Sequence, residues 1–407
     1  MPRLLQINSC VGIKSTGRIT ENIAKLAIAN GWECYMLHGA KTVGNTIQHH
    51  FQVTSLLGTY FHFAESFLLD RHGLGSRIAT KRIIKTIERI QPDVVQLHNV
   101  HGYYINYRIL FEYFNQVNIP VVWTFHDCWA FTGHCAHFII VNCTKWKEKG
   151  CRVCPLKGNY PKSITDFSSR NFMLKKKLFG GNNNLHIVTV SKWLENLART
   201  SFFHDKDIRT IYNGLDINIF KPQDSNALRK KLHLEGKSVL IAAATAWSKG
   251  KGLNDYNKLS EMLPDGVKII LIGLTKNQRK DVSNKILGLP RTDSQAELAE
   301  YYSMADIVLN LSYSETFGLT TAEGMSCGTP GVVYNVTASP ELITPITGKI
   351  VEAGDVKGVF EAVTEILNRG KLYYSENCRK RALDYFDMNK QYKKYIELYD
   401  NLAHKKN

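Results

Sequence analysis

The feature that most constrains the fold is a repeated alternation of short β-rich runs with helix-patterned segments. The first half of the chain contains the runs RLLQINS, PDVVQLHN, PVVWTFHD and LHIVTVS. Before the second of these runs, the segment KRIIKTIERI repeats Ile83, Ile84, Ile87 and Ile90 at helical spacing. This alternation favours βαβ units and a parallel sheet.

A second series of β-rich runs begins near IRTIYNGLD and continues through SVLIAAAT, VKIILIG, DIVLNLS and GVVYN. The length of 407 residues exceeds what a single hydrophobic core usually supports. We therefore predict an α/β protein with two doubly wound parallel-sheet domains, at residues 1–206 and 207–385. A C-terminal helix at about 386–407 is expected to pack back onto the first domain.

Composition narrows the class of protein and its partners. No window of about 18 residues is continuously apolar, and the start MPRLLQINSC has too short an apolar part for a signal peptide. We therefore expect a cytoplasmic protein. The net charge of +16 attracts anions, which leaves nucleic acid, an anionic membrane face and phosphorylated small molecules open as partners.

The segment SETFGLTTAEGMSCGTP, residues 314–330, follows the predicted strand DIVLNLS. Ligands of open parallel sheets bind beyond the carboxyl ends of the strands. Glu315 falls in the loop, Phe317 and Gly318 form a turn, and the following helix offers free N–H groups to a phosphate or a sugar hydroxyl. The structural alternative, in which Glu315 caps the helix and Glu323 is a solvated acid, stays open.

This segment resembles the E-x7-E motif of retaining glycosyltransferases of family 4, which use a nucleotide sugar and have the GT-B fold. GMSCGTP is similar to the end of that motif, with Gly324 where alanine is usual. IYNGLDINIFKP and TGKIVEAGD resemble the opening and the closing strand of the family's nucleotide domain. PDVVQLHNVHGYYIN and VVWTFHDCWAFTGHC resemble a branch that builds bacterial surface polysaccharides. The resemblance covers nearly the whole chain and implies two Rossmann-like domains that face a cleft.

The resemblance also implies roles for individual residues. Glu315 would hold hydroxyls of the donor sugar, and Glu323 would hold the ribose of the nucleotide. His126, just after VVWTF, matches the family's active-site histidine, although a lone histidine at a strand end is otherwise more often structural. The other implied donor-binding positions are the amides of Thr316, Phe317, Gly318 and Leu319, and Gly17 and Arg18 after the first strand.

Cleavage of the sugar–phosphate bond leaves negative charge on the diphosphate, so the site needs cations and N–H donors. The family supplies an arginine and a lysine. Here AAATAWSKGKGL provides Lys251, while Thr245 and Ala246 stand where the arginine is expected. Lys249 is a weaker substitute, because an ammonium group cannot bind phosphate bidentately. Retention of configuration is implied, with no cofactor required for catalysis.

Five of the nine cysteines crowd into the segment that follows His126. Four of them have the spacing C-x7-C-x7-C-x2-C, which can supply tetrahedral ligands to a structural zinc ion. Reduced thiols and disulfides are the alternatives, and His134 and His137 could enter the site. The four candidate ligands are Cys135, Cys143, Cys151 and Cys154.

The best interpretation is a retaining glycosyltransferase that moves a sugar from a nucleoside diphosphate sugar to a glycan or lipid-linked acceptor, in bacterial polysaccharide or lipopolysaccharide biosynthesis. A nucleotide-sugar epimerase and a non-catalytic nucleotide- or nucleic-acid-binding protein are the alternatives, although no nucleic-acid-binding module is recognised. The mixed basic and apolar segment SSRNFMLKKKLFGG, residues 168–181, predicts either contact with an anionic inner membrane or a helix with its charged face in water.

Overall fold

The computed structural model describes residues 1–39, 47–147 and 150–404. They divide into two compact units. The first is Met1–Ile211 together with the chain from Gln391 on, and the second is Tyr212–Lys390. Each unit contains one parallel sheet with flanking helices, so the predicted α/β class with two parallel sheets is confirmed.

The described part of the first unit has a seven-stranded parallel sheet. Its strands are β1 (Arg3–Asn8), β2 (Glu33–His38), β3 (His49–Gln52), β4 (Val94–Leu97), β5 (Val121–Phe125), β6 (Leu185–Thr189) and β7 (Asp207–Thr210). The order across the sheet is β3-β2-β1-β4-β5-β6-β7. Every residue of β4 and β5 is buried, as expected for parallel strands that are covered on both faces.

Within its described residues, the second unit has a six-stranded parallel sheet. Its strands are β8 (Ser238–Ala243), β9 (Val267–Ile272), β10 (Ile286–Leu289), β11 (Ile307–Asn310), β12 (Gly331–Tyr334) and β13 (Gly348–Val351). The order is β10-β9-β8-β11-β12-β13. In both sheets the strand order reverses beside the first strand, between β1 and β4 and between β8 and β11. Such a reversal opens a crevice at the carboxyl ends of the two strands.

Helices connect these strands in chain order. Those of the first half are α1 (Lys14–Ala29), α2 (Leu56–Leu69), α3 (Arg77–Ile90), α4 (Tyr107–Phe114), α5 (Ser168–Gly180) and α6 (Lys192–Arg199). Those that follow are α7 (Asn226–Lys231), α8 (Leu253–Met262), α9 (Gln278–Asp281), α10 (Gln295–Met304), α11 (Leu319–Ser326), α12 (Val356–Arg369), α13 (Lys371–Tyr385) and α14 (Met388–His404). No helix in the described ranges is long and apolar enough to cross a bilayer.

The structure corrects one strand assignment. The run that begins at Ile208 was predicted to open the second series, but it forms β7 and pairs in parallel with β6, with Ile208 opposite Ile187. The last strand of one sheet and the first strand of the next have the same β-rich composition, so only the pairing separates them. Strands β2, β3 and β10 were not predicted; β3 is a partly exposed edge strand without apolar alternation.

The basic and apolar segment 168–181 contains α5, which covers most of its apolar side chains. Phe172, Leu178 and Phe179 are buried, so these apolar side chains are not available to a membrane. Lys175 is buried as well, and its ammonium group lies 3.3 Å from the centre of the Trp129 ring. Met173 of the same segment is 59% exposed, and membrane contact through this segment stays a prediction.

Helix α14 contacts the first sheet through polar side chains as well as through its apolar face. The Tyr399 hydroxyl donates to Gln96 Oε1 at 2.9 Å, and the Trp32 indole donates to Asp400 at 3.0 Å. The Gln96 amide nitrogen donates to Thr124, so this buried side chain of β4 is bonded at both ends. A buried amide with satisfied donors and acceptors stabilises one particular packing of the helix.

Gly324 allows α11 to pack closely against β11. A Cβ at this position would lie well inside van der Waals contact with the Val308 side chain. We predict that Gly324→Ala lowers the free energy of unfolding by about 1–2 kcal/mol, because overpacking outweighs the helix propensity that alanine gains. Urea denaturation measures this effect. Gly266→Ala is the control, since no heavy atom of the described residues beyond its chain neighbours lies within 4 Å of its Cβ position. Equal losses in the two variants would contradict the packing argument.

Candidate functional site

The candidate residues of the second unit lie in the loops that follow β8 and β11, the two strands beside which the strand order reverses. The loop after β8 contains the 3₁₀ turn Lys249–Lys251, and the loop after β11 contains Glu315. The two loops are tied by backbone contacts, because Tyr313 N donates to the Gly250 carbonyl at 2.9 Å. The sheet topology therefore brings together residues that lie more than 60 positions apart in the sequence.

Lys251 and Glu315 form an ion pair in this crevice. The Lys251 ammonium lies 2.5 Å from Glu315 Oε1, and both side chains keep some solvent exposure, at 35% and 17%. The next residue, Gly252, has a φ of 71°, and a Cβ there would collide with the Leu311 carbonyl. Glycine thus permits the close approach of the two loops that forms the pair. Lys249 lies on the same turn with an exposed side chain.

The chain after Glu315 presents a run of backbone donors. Gly318 is the N-cap of α11, with a φ of 96° that favours glycine. The N–H groups of residues 316–320 donate no hydrogen bond to any residue that the structure describes. Phe317 anchors this turn, since its side chain is buried and its ring lies 5.6 Å from that of Phe386. Unpaired N–H groups at a helix N-terminus are a binding site for anions.

Neither acid of the motif has the position that the structural alternative predicts, in which Glu315 caps the helix and Glu323 is solvated. Glu315 does not cap α11, because Gly318 is the N-cap and no side chain of the described residues caps it. Glu323 lies in the second turn of α11, half-buried, and its Oε2 accepts from the Tyr302 hydroxyl at 3.3 Å. Burial and the Glu323 charge raise the pKa of Tyr302, which therefore stays a protonated donor. Glu315 thus lies in the loop before α11, and Glu323 lies on that helix.

His126 lies directly after β5 in the first unit and contacts His98, which follows β4. His126 Nε2 lies 3.0 Å from His98 Nδ1, and His98 Nε2 lies 3.1 Å from Gln6 Oε1. The Gln6 amide nitrogen donates to the Thr20 carbonyl, so Gln6 Oε1 accepts from His98. His98 must then accept at Nδ1 from His126 Nε2–H, which leaves Nδ1 of neutral His126 as an acceptor.

Burial keeps this histidine pair neutral. It lowers the pKa of His126 to about 4 and that of His98 well below its usual value. The neighbouring Asp127 is held in its charged form. Burial alone would raise its pKa, but the charge and hydrogen bond of His101 lower it overall. His101 Nε2 lies 2.9 Å from Asp127 Oδ2. The sequence analysis missed His98, His101 and Asp127, although the run LHNVH after β4 signalled polar side chains at a strand end.

Gly17 and Arg18 lie in the first turns of α1, also in the first unit. A Cβ on Gly17 would lie 3.2–3.3 Å from the Cys10 side chain and carbonyl, so glycine lets α1 approach the loop after β1. Arg18 is half-buried. The structure therefore places Lys251, Glu315 and residues 316–319 together in one unit, with Glu323 on the helix that follows them. His126, Gly17 and Arg18 belong to the other unit, and the donor-binding roles of all these residues stay predictions.

The four cysteines of the predicted zinc site line one small cavity together with His134. A hydrogen bond from Cys135 lowers the pKa of the Cys154 thiol to about 7. Gly133 N donates to Cys151 Sγ at 3.1 Å. All nine cysteines are free thiols, and in the described ranges no three or more His, Cys, Asp or Glu side chains are arranged to hold a metal ion. The structural zinc ion stays a prediction.

Comparison with known protein families identifies the family of the chain. Residues 16–219 match the sequence model described as Glycosyltransferase Family 4, and residues 241–369 match the one described as Glycosyl transferases group 1. The chain belongs to glycosyltransferase family 4. The predicted family is thereby confirmed.

Two curated relatives of this family 4 protein are 26–28% identical to it over the aligned residues. N-acetyl-alpha-D-glucosaminyl L-malate synthase of Bacillus anthracis is 28% identical over 54% of this chain and 61% of its own length. The putative colanic acid biosynthesis glycosyl transferase WcaC of Escherichia coli K12 is 26% identical over 67% of this chain and 68% of its own. The chain thus spans about three fifths to two thirds of these two relatives.

Solved structures agree with the predicted GT-B fold. A sucrose-phosphate synthase of Thermosynechococcus elongatus superimposes with a TM-score of 0.75 over 99% of both chains, at 15% identity. HepE of Anabaena, in complex with UDP and glucose, gives a TM-score of 0.67 over 98% of this chain and 99% of its own, at 17% identity. The GT-B fold of this family 4 protein is thereby established.

The neutral state of His126 gives a pH prediction. The pKa of His126 is about 4 in the folded chain and about 6.5 in the unfolded chain. Between these two pH values the unfolded chain therefore binds a proton that the folded chain does not. The contribution of neutral His126 to the free energy of unfolding is therefore complete above pH 6.5 and is lost as the pH falls towards 4. We expect the wild-type free energy of unfolding to fall over this range by about 2–3 kcal/mol more than that of His126→Asn. Urea denaturation at pH 7 and pH 4 measures this difference. An equal fall in the free energy of unfolding of the two proteins would contradict the prediction.

Metal analysis tests the cysteine site. If the four thiols hold zinc, protein purified without chelators contains about one equivalent per chain, and Cys151→Ser with Cys154→Ser lowers that content severalfold because two ligands are lost. Cys327→Ser is the control, since this buried thiol lies in the second unit. Zinc-free wild-type protein, measured by mass spectrometry of the metal, would contradict the prediction.

Proposed function

We propose that this protein moves a sugar from a nucleoside diphosphate sugar to a glycan or lipid-linked acceptor, with retention of anomeric configuration. The observation that carries the proposal is the cluster after β8 and β11. A lysine cation, a carboxylate and five N–H groups that have no acceptor among the described residues lie together there. This set matches the anionic diphosphate and the sugar hydroxyls of such a donor. The complex of HepE with UDP and glucose supports a nucleotide sugar as the donor.

The chemistry follows from where charge develops. As the bond between the anomeric carbon and the phosphate oxygen breaks, negative charge grows on the leaving diphosphate. The N–H groups of residues 316–320 and the Lys251 ammonium stabilise that charge, and one such donor is worth about 3 kcal/mol in a preorganised site. Lys251 is already positioned, because Glu315 binds its ammonium at 2.5 Å before any donor arrives. The cation therefore needs little reorganisation when the bond breaks.

Glu315 and Glu323 act as holders of hydroxyl groups in this proposal. Glu315 binds Lys251 through Oε1, and its Oε2 is the oxygen we assign to a hydroxyl of the transferred sugar. Glu323 lies four residues beyond the start of α11, about 6 Å along the helix axis. Its carboxylate, oriented by Tyr302, is assigned to the ribose. Carboxylate–hydroxyl hydrogen bonds are charge-assisted and hold a ligand in a fixed orientation.

Retention requires that the acceptor attack from the face that the diphosphate leaves. The departing phosphate oxygen then takes the proton of the acceptor hydroxyl, so neither glutamate has to act as a nucleophile. Neutral His126, with Nδ1 as an acceptor, is assigned to a hydroxyl of the transferred sugar. A neutral imidazole suits this role, because a cation there would repel the positive charge that grows on the sugar ring.

The biological setting is proposed from relatives and from charge. WcaC carries the name of a colanic acid biosynthesis glycosyl transferase, which supports a role in bacterial polysaccharide biosynthesis. The net charge of +16 favours anionic partners, and lipid-linked acceptors lie on an anionic membrane face. We therefore place the enzyme in the cytoplasm, in peripheral contact with that face.

Two single substitutions separate the roles of the acids. Glu323→Ala should weaken binding of a free nucleoside diphosphate by about tenfold or more, because the ribose loses a charge-assisted acceptor. Glu315→Ala should leave that affinity within about threefold and chiefly reduce turnover. Calorimetry with UDP, GDP and ADP measures the affinities, and initial rates with the matching donors measure turnover. Glu361→Ala, an exposed acid of α12, is the control. Equal and negligible effects of both substitutions would contradict the proposed site.

A further inference from the structure

Helix α2 buries polar side chains and exposes apolar ones, which is the reverse of an ordinary surface helix. Its polar side chains His62 and Ser66 are buried, while most of its large apolar side chains face solvent. An amphipathic helix of a soluble domain normally buries its apolar stripe. The exposed apolar side chains are 45–76% accessible: Leu56, Leu57, Tyr60, Phe61, Phe63, Leu68 and Leu69.

Hydrogen bonds fix this reversed orientation. His62 Nδ1 lies 2.8 Å from the Ser76 hydroxyl, and His62 Nε2 accepts from the N–H groups of Gly73 and Gly75 at 3.2 Å. Burial lowers the pKa of His62 to about 4, so the ring is neutral and can accept at Nε2. Rotating α2 to bury its apolar side would take the His62 acceptor away from the buried N–H groups of Gly73 and Gly75, at a cost for each group.

The exposed side chains form a continuous stripe. Leu57, Phe61 and Leu68 recur at intervals of four and seven residues, which places them on one face of the helix. Contiguous exposed apolar surface of this kind marks an interaction site. The stripe continues onto the segment that ends at Phe167. Ile164 N donates to the Phe67 carbonyl at 2.9 Å, and both Ile164 and Phe167 are exposed. We call the exposed apolar side chains of α2, together with Ile164 and Phe167, the α2 surface.

Basic side chains border the α2 surface. Lys162 holds its ammonium 5.9 Å from the centre of the Phe67 ring, and the Lys157 ammonium donates to the Ile164 carbonyl. Glu65 is the one acid in the sequence of α2, and its carboxylate lies 2.8 Å from Arg71. The surface therefore combines an apolar face, a positive border and a neutralised acid.

We propose that the α2 surface lies on an anionic lipid bilayer. Apolar side chains flanked by lysines bind the boundary between headgroups and acyl chains, and each lysine near an anionic leaflet adds attraction. Helix α2 has 14 residues, or about 21 Å, so it lies in the interface and does not span it. The stripe offers few hydrogen-bonding groups to a protein partner. The inference deepens the proposed function, on which its biological purpose rests, by naming the surface that meets the membrane.

Vesicle co-sedimentation of the full chain tests this inference without donor or acceptor. Wild-type protein should bind vesicles of phosphatidylglycerol and phosphatidylcholine, and Leu57→Ser with Phe61→Ser should weaken that binding at least about tenfold. Leu372→Ser is the apolar control, because Leu372 is 90% exposed in the second unit. Lys157→Glu with Lys162→Glu should weaken binding to the anionic vesicles at least about tenfold, while the exposed control Lys237→Glu has little effect.

Three results would overturn the inference: no binding of the wild type to anionic vesicles, equal binding of the α2 variant, or equal binding to pure phosphatidylcholine. Sedimentation velocity tests a second copy of the chain as the occupant. A dimer that the Leu57 and Phe61 substitutions dissociate, without vesicle binding, would assign the α2 surface to that copy. Nucleoside diphosphate affinity of the same variants keeps the two proposals separate, because loss of vesicle binding with intact nucleotide binding concerns α2 alone.

Discussion

Burial of parallel strands on both faces is the constraint on which the rest of this structure depends. Such strands admit few polar side chains in their interior, and those present are hydrogen-bonded, as Gln6 and Gln96 are. Charged and donor groups are therefore displaced to the carboxyl ends of the strands. The reversal of strand order beside β1 and β8 then creates, in each unit, the place where those groups gather.

In the second unit the backbone supplies most of the proposed site. Glycines at 252 and 318 adopt positive φ, which brings the Lys251 loop against the Glu315 loop and exposes the N–H groups at the start of α11. In the proposed site these groups stand in for the expected arginine. The N–H groups carry partial positive charge in fixed positions, and a single paired lysine adds a full charge beside them. The proposed site thus lacks the planar fork of donors that an arginine would offer to the diphosphate.

Local patterns predicted the buried strands, the helix after Glu315 and the family, because these depend on residues close in sequence. Pairing is nonlocal, so β7 was assigned to the wrong sheet and the His98 partner of His126 was missed; 28 residues separate the two rings that adjacent strands bring together. Which apolar side chains of a helix are covered is nonlocal in the same way. Sequence shows that α5 and α2 both contain apolar side chains, but only packing shows that most of those of α5 are covered and that most of those of α2 face solvent.

The central claim is that the N–H groups of residues 316–320, beside Lys251, bind the diphosphate of the donor. Amide chemical shifts of the full chain during titration with UDP, GDP and ADP test it most directly. The account predicts that these five amides shift downfield together with the nucleotide that binds, and that Lys251→Ala weakens the response. Saturable nucleotide binding that leaves these five amide resonances in place would contradict the account.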